Sequence, residues 1–347
     1  MNPRVRVLVV EDSLTVRRRI ASALAADSEL EVIGEAADGP RAIELCAALR
    51  PDVITLDLVL PGLDGVAVTE QVMAFHPTPI VVVSGASNRG EVLHTYDALA
   101  AGALDAIEKP DGTGDDATWD NHLRRTVKTA ARVKVITHPR ARLGAATHRT
   151  AGIARPIRAI AIGASTGGPA ALARVLHALP ADLPVPILLV IHVASAFAAG
   201  AAEWLDGQSK IPVRSAVHGE PLPRRGVIVP APDRHLIVER DGTLRLDAGP
   251  PRHFCRPAVD PLFESVAQAM GADSVGCLLT GMGRDGAAGL LAMRRAGATT
   301  IAQDEATSVV WGMPREAVVL GAAERVLPLD SVATTLRELA AQKWGQP

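Results

Sequence analysis

The sequence predicts an α/β protein of two doubly wound parallel-sheet domains. Apolar runs of strand length alternate with segments of helical period twice along the chain, and a stretch without sustained period separates the two series. At 347 residues the chain exceeds one typical hydrophobic core, so two domains of ordinary size are expected. Its composition, 48% apolar and 21% charged, is that of a globular chain able to fill both. Strands that alternate with helices imply parallel sheets covered on both faces.

In the first domain, read over 1–133, the strand runs are RVLVV, EVIGEA, DVITLDL, PIVVVSG and ALDAI. Between them lie SLTVRRRIASALAA, GPRAIELCAALR, DGVAVTEQVMAF and EVLHTYDALAAG, and ATWDNHLRRTVKTAARVKV closes the domain. Proline, glycine, threonine and arginine without a period mark a linker over 134–155. The second domain, 156–347, resumes with RAIAIGAS, GPAALARVLHAL, VPILLVIHV and AFAAGAAEWLDG, then shorter β-like pieces such as GVIVPA. RHLIVERDGTLRLD reads as a β-hairpin insertion around the turn DGT. DPLFESVAQAMG, SVGCLLTG, DGAAGLLAMRRAG and TTIAQDE complete the alternation.

A net charge of −2 gives no electrostatic footprint for nucleic acid, and no compact basic helical module suggests a transcriptional output. Cys46, Cys255 and Cys277 sit among apolar neighbours without metal or redox spacing, which fits a reduced compartment and no disulfide framework. The opening MNPRVRVLVVED is too short in its apolar part for a signal peptide, and the longest apolar stretch is broken by prolines and His192. A cytoplasmic location is expected.

Ligands of open parallel sheets bind at the carboxyl ends of the strands. Glu11 and Asp12 follow RVLVV, Asp57 follows DVITL, Ser84 follows PIVVV and Lys109 follows ALDAI. Taken singly they read as helix caps, a strand end and a surface charge. Together they bring three carboxylates, a hydroxyl and an ammonium to one edge. Three carboxylates repel one another unless a hard cation such as magnesium fills the gap, and the lysine and hydroxyl suit phosphoryl oxygens on an acceptor carboxylate. The pattern ED, D-x-x-x-P-x-x-D-G, a hydroxyl after the fourth strand and KP after the fifth resembles the response-regulator receiver family, whose fold is flavodoxin-like. The resemblance implies Asp57 as phosphoacceptor, Glu11, Asp12 and Asp57 as Mg2+ ligands, and Ser84 and Lys109 as phosphate sensors. Two positions depart from the family: Ala106 stands where an aromatic switch residue is usual, and Leu60 where a methionine is usual.

In the second domain RAIAIG runs into Ser165, and GASTG has the form G-x-S-x-G between a strand and a helix. GASTGG could equally be a phosphate-binding loop. The next strand argues otherwise, because a dinucleotide fold would end it in an acid, whereas VPILLVIH ends in His192. SVGCLLTG is followed by Asp285, so serine, histidine and aspartate follow three strands on one edge, as a nucleophile, base and orienting acid require. A lone His192 would read as a core histidine and a lone Asp285 as a helix cap. His177, His218, His235 and His253 lack such placement and are expected to be structural or exposed.

GASTGGP, HFCRPAVDPLF, LLTGMGRDGAAGL and AQDEATSVVWGMPREAV resemble the chemotaxis protein-glutamate methylesterase family. IHVASAF departs from the family's pattern around the histidine. The resemblance implies a Rossmann-like esterase domain with Ser165 as nucleophile, His192 as base, Asp285 as its orienter, and Thr166 and Met282 as oxyanion or substrate contacts. It implies hydrolysis of glutamate γ-methyl esters and deamidation of glutamine on chemoreceptor cytoplasmic helices, with the chemotaxis histidine kinase as phosphodonor and no cofactor for the ester chemistry. In the family, the unphosphorylated receiver restrains the esterase. The alternatives are the same hydrolase serving a non-chemotaxis receptor, and a receiver-controlled adaptor without turnover.

Overall fold

The computed structural model describes residues 4–86, 88–110, 116–133 and 156–341. The chain divides into two compact units, one organised on a five-stranded sheet and the other on a seven-stranded sheet. The linker expected over 134–155 lies outside the described residues.

The first series runs β1 (Val5–Val10), α1 (Leu14–Ala25), β2 (Leu30–Ala36), α2 (Gly39–Leu49), β3 (Val53–Leu56), α3 (Gly65–Phe75), β4 (Ile80–Ser84), α4 (Arg89–Ala101), β5 (Asp105–Glu108) and α5 (Asp116–Ala130). Strand order is β2-β1-β3-β4-β5 and every pair is parallel, the flavodoxin-like arrangement. Val7, Val9, Val53, Val81 and Val83 build one face of the core against Ile20, Leu24, Leu123 and Val127. Strands covered on both faces carry continuous apolar runs, and VITL and IVVVS are buried throughout. Ser13, Asp38, Asp64 and Asn88 cap α1 to α4, each accepting a bond from the amide three residues on. Their caps hold the strand-to-helix loops at the carboxyl edge.

The second series runs β6 (Ala159–Ala164), α6 (Gly168–Ala178), β7 (Ile187–Ile191), α7 (Ser195–Ala198), α8 (Ala201–Gln208), β8 (Val213–Ser215), β9 (Val227–Val229), β10 (His235–Val238), β11 (Leu244–Asp247), α9 (Val259–Met270), β12 (Ser274–Leu278), α10 (Ala287–Arg295), β13 (Thr299–Gln303), α11 (Met313–Val319), β14 (Arg325–Leu327) and α12 (Leu329–Ala340). The parallel sheet has the order β14-β13-β12-β6-β7-β9-β8, and β10 and β11 form a separate antiparallel hairpin. Phe263, Leu262 and Val266 of α9 and Leu290 and Met293 of α10 share one core with Ala159, Ala161 and Leu278 of the sheet.

Two features differ from the sequence reading. The helical stretch AFAAGAAEWLDG is interrupted, since α7 ends at Ala198 and α8 begins at Ala201. The sheet gains two edge strands of three residues, VRS with one buried residue and RVL with none, so neither shows the apolar run that identifies a central strand.

Candidate active site

Successive strands leave β6 in one direction through β7 and in the other through β12. The reversal opens a crevice at the carboxyl ends of β6 and β12, where ligands bind in sheets of this kind. Ser165 directly follows β6, and its amide donates to the Thr280 carbonyl beyond β12 at 3.0 Å. His192 directly follows β7, and its amide donates to the Ala164 carbonyl at 3.0 Å. β6 and β7 pair in register through Ala164 and Ile191, so Ser165 and His192 are the next residues along the two strands.

Asp285 lies farther from its strand than the other two and is returned to the crevice by the loop TGMGRDG. A side chain on Gly281 would collide with Ser165 Cβ at 2.8 Å and with the Met313 sulfur, so only glycine lets this loop close on the serine. The following segment buttresses it: the Gly281 amide donates to the Val310 carbonyl, its carbonyl accepts from Met313 at 2.8 Å, and buried Gln303 accepts from the Thr280 amide. The motif AQDEATSVVWGMPREAV is thus a support for the loop beside Ser165. Met282 is 46% exposed, and Thr166 lies between Ser165 and the start of α6.

His192 Nε2 and Asp285 Oδ2 are 2.8 Å apart. The same carboxylate accepts from the amides of Val259 at 2.6 Å, Asp260 at 2.9 Å and Gly286 at 2.9 Å. It therefore orients the histidine and also receives the unpaired amides at the start of α9, so the capping and orienting roles coincide in one side chain. Burial pushes its carboxyl up, but His192 and the backbone amides more than reverse this and hold it below the ordinary aspartate value. For His192, burial disfavours the charged ring, while Asp285 and then the Cys255 thiol favour it and raise its pKa to about 9.

Two residues around this pair escape the strand-end argument. His253, expected to be structural or exposed, bonds through Nε2 to Asp260 Oδ2 at 2.8 Å and lies 4.0 Å from Asp285 Oδ1. Asp260 is fully buried, accepts from the Gly289 amide at 2.7 Å, and is pushed up in pKa by burial and by Asp285. Cys255 is also not the apolar-packed thiol that its neighbours in sequence suggest, since it is half-buried beside the His192 ring. A turn, not a strand end, delivers both residues, so only the motif HFCRPAVDPLF could have pointed to them. His235 is buried and bonded to backbone at both ring nitrogens, a structural role in accord with expectation.

In the five-stranded sheet the order reverses between β1 and β3, and Glu11, Asp12 and Asp57 meet there with ligand oxygens within 4.8 Å of one another. A side chain on Gly65 would strike the Asp57 carbonyl at 2.5 Å, so the D-G pair both caps α3 through Asp64 and lets the helix start against Asp57. Lys109 Nζ contacts Asp57 Oδ2 at 2.8 Å and Glu11 Oε2 at 2.9 Å. Burial, followed by the neighbouring Asp57 charge, raises Glu11 to about 7, and burial likewise raises Asp57. Burial alone would lower Lys109, but its bonds to Asp57 and Glu11 outweigh it and hold the ammonium above its ordinary value. Ser84 Oγ is buried without a hydrogen-bond partner among the described residues. Three carboxylates with Asp12 open to solvent form an oxygen donor set that fits a hydrated magnesium ion, and the orphaned hydroxyl fits an anionic oxygen nearby.

Both halves of the chain match known families. Residues 160–336 match the CheB methylesterase family, and residues 7–115 match the response regulator receiver domain. The protein-glutamate methylesterase/protein-glutamine glutaminase 2 of Anaeromyxobacter dehalogenans is 47% identical over 96% of this chain and 97% of its own length. A protein-glutamate methylesterase/protein-glutamine glutaminase of Geobacter metallireducens is 45% identical over 98% of this chain and all of its own length. The crystal structure of the Thermotoga maritima CheB methylesterase catalytic domain superposes with a TM-score of 0.51 at 34% identity, covering 53% of this chain and 100% of that domain.

Proposed function

The chain belongs to the CheB methylesterase family and carries a response regulator receiver domain, and from that premise we propose that Ser165, His192 and Asp285 hydrolyse γ-methyl esters of glutamate. The observation that carries this assignment is the 2.8 Å bond between His192 and Asp285 at the switch point where Ser165 leaves β6. His192 takes the Ser165 hydroxyl proton as the oxygen attacks the ester carbonyl, and the proton then passes to the departing methoxide, giving methanol and an acyl-serine. Water attacks the acyl group, again losing its proton to His192, and glutamate and free serine are released. With a glutamine side chain the same steps release ammonia. Asp285 stays ionised and stabilises the imidazolium in both halves. Backbone amides at Thr166 and Met282 are the donors proposed for the oxyanion.

The hydrolase is phosphorylation-regulated and serves chemotaxis adaptation. In this reading Asp57 accepts the phosphoryl group, Glu11, Asp12 and Asp57 hold Mg2+, and Ser84 and Lys109 meet the phosphoryl oxygens. When bound, Mg2+ supplies positive charge against the transferring phosphoryl group. Lys109 adds a second positive charge, and Ser84 offers its buried hydroxyl. The substrates are methylated cytoplasmic helices of chemoreceptors, the phosphodonor is the chemotaxis histidine kinase, and the site of action is the cytoplasm. No described helix is long and apolar enough to cross a membrane.

Methanol release from methylated receptor membranes, with and without a phosphodonor, tests the reading. Ser165→Ala should lose at least about 10³-fold in rate while Asp57 phosphorylation continues. Full activity in that variant would remove Ser165 from the mechanism. Asp57→Asn should retain the basal rate and lose its stimulation.

A further inference from the structure

Beside the triad, residues Arg252 to Arg256 form a turn closed by reciprocal backbone bonds, from the Arg252 amide to the Cys255 carbonyl at 3.0 Å and from the Cys255 amide to the Arg252 carbonyl at 2.8 Å. Its two central residues, His253 and Phe254, have φ values of 51° and 64°. Two consecutive residues at positive φ are the pattern of a type I′ turn, which asparagine and glycine enter readily and bulky side chains do not. A histidine and a phenylalanine are held there by the surrounding bonds. Arg252 forms a bidentate pair with Glu264, His253 bonds to Asp260, and Cys255 bonds to the His253 carbonyl and lies beside His192. Arg256 grips Asp233 with two nitrogens and the carbonyls of Ala248 and Gly249 with a third.

Phe254 is the exception in this run. Its ring is 94% exposed, the most open of the large apolar side chains in the described chain. A lone exposed apolar residue is ordinary on a protein surface. This one sits on a tip whose backbone is strained to present it, whose neighbours are all anchored, and whose adjoining residues touch the catalytic pair. Strain kept beside an active site points to use of the strained residue. Met282, 46% exposed and three residues before Asp285, adds a second apolar side chain to the loops around the carboxylate.

We propose that Phe254 is a substrate-docking residue, which packs on an apolar side chain of the protein substrate beside the esterified glutamate. The proposal rests on the esterase reading and deepens it: the substrate class is a folded protein segment that presents an apolar neighbour with the ester, not a free amino-acid ester. Rigid aromatic anchors with little entropy to lose are suited to this task. A small ester presents no apolar neighbour for the ring, so the two substrates separate docking from chemistry.

The test uses the full chain with methylated receptor membranes and, in parallel, N-acetyl glutamate γ-methyl ester. Phe254→Ala should lower kcat/KM on the receptor about tenfold, chiefly through KM, and leave the small ester unchanged. Phe254→Trp should restore the receptor rate. Phe254→Asn, which suits positive φ, should unfold at no lower temperature than the parent and still show the receptor defect. Unchanged receptor kinetics in Phe254→Ala, or an equal loss on both substrates, would overturn the docking role. If the parent chain hydrolyses neither substrate, the esterase reading falls instead.

Discussion

Asp57 and Asp285 are both almost wholly buried, 1% and 2% exposed, and both stand near the point where the order of a parallel sheet reverses. Their surroundings push them in opposite directions. Asp285 receives three backbone amides and a histidine, and it stays below the ordinary aspartate value despite burial. Asp57 has a long bond from the Val59 amide at 3.3 Å, a weaker contribution from the Leu58 amide and the Lys109 ammonium, which it shares with Glu11, and burial raises it. A carboxylate whose lone pairs are spent on amides is fixed in charge and orientation, which suits a residue that must hold an imidazolium. One left with unspent oxygen at a crowded acidic edge is poised to gain a partner, which suits a residue that accepts a group and faces a cation.

The largest expected consequence lies in the chemistry. Asp285→Asn keeps the size of the side chain but removes the charge that fixes the His192 proton, and turnover should fall about 10⁴-fold. Phosphorylation of Asp57, measured by retention of label on the chain, should be unaffected. A loss below tenfold in methanol release would show that Asp285 is chiefly a cap for α9 and would break the contrast.

Next in size is the titration of His192. Its pKa is raised from the ordinary 6.5 to about 9, so the neutral base grows with pH across that window. kcat/KM for a small ester should therefore climb from pH 6.5 to about 9. The sign for stability is opposite: a group with a raised folded pKa stabilises fully below 6.5, and that contribution is lost as pH rises to about 9. In Asp285→Asn the ring should titrate about one pH unit or more lower when followed by NMR, because burial then acts against less attraction. An unchanged ring would remove Asp285 as the source of the shift.

Most of this contrast was legible in the sequence because strand ends are legible. RVLVV, DVITL, RAIAIG and VPILLVI are buried on both faces, so their apolar runs stop where the chain emerges, and Glu11, Asp57, Ser165 and His192 stand at those stops. Asp285 is harder to place, since six residues separate it from the end of β12. His253 and Asp260 were not legible by this rule. A two-residue turn and the first turn of α9 bring them in, and nothing in local periodicity distinguishes a buried acid at a helix start from a surface cap. The edge strands β8 and β14 were lost for a related reason: with one buried residue or none, they have no pattern to show.

The smallest effect gives the contrast its sharpest form, because the same isosteric change should shift stability with opposite signs. At neutral pH the folded value of Asp57 is raised, so its stabilising contribution is present at low pH and lost as pH rises through that value; ionised, it is a net cost. Asp57→Asn removes a buried charge beside Glu11 and should stabilise the first domain by on the order of 1 kcal/mol when no divalent cation is present. Asp285 has a lowered folded value, so its contribution is present above the ordinary 3.8 and lost as pH falls through the folded value. Asp285→Asn turns an amide donor toward backbone amides that themselves donate and should cost the second domain about 2 kcal/mol. Calorimetry in chelator resolves this where the two domains unfold in separate transitions, each variant moving its own transition by a few degrees. Movement in the same direction at both sites would mean that burial, not the count of amide donors, decides how each acid behaves.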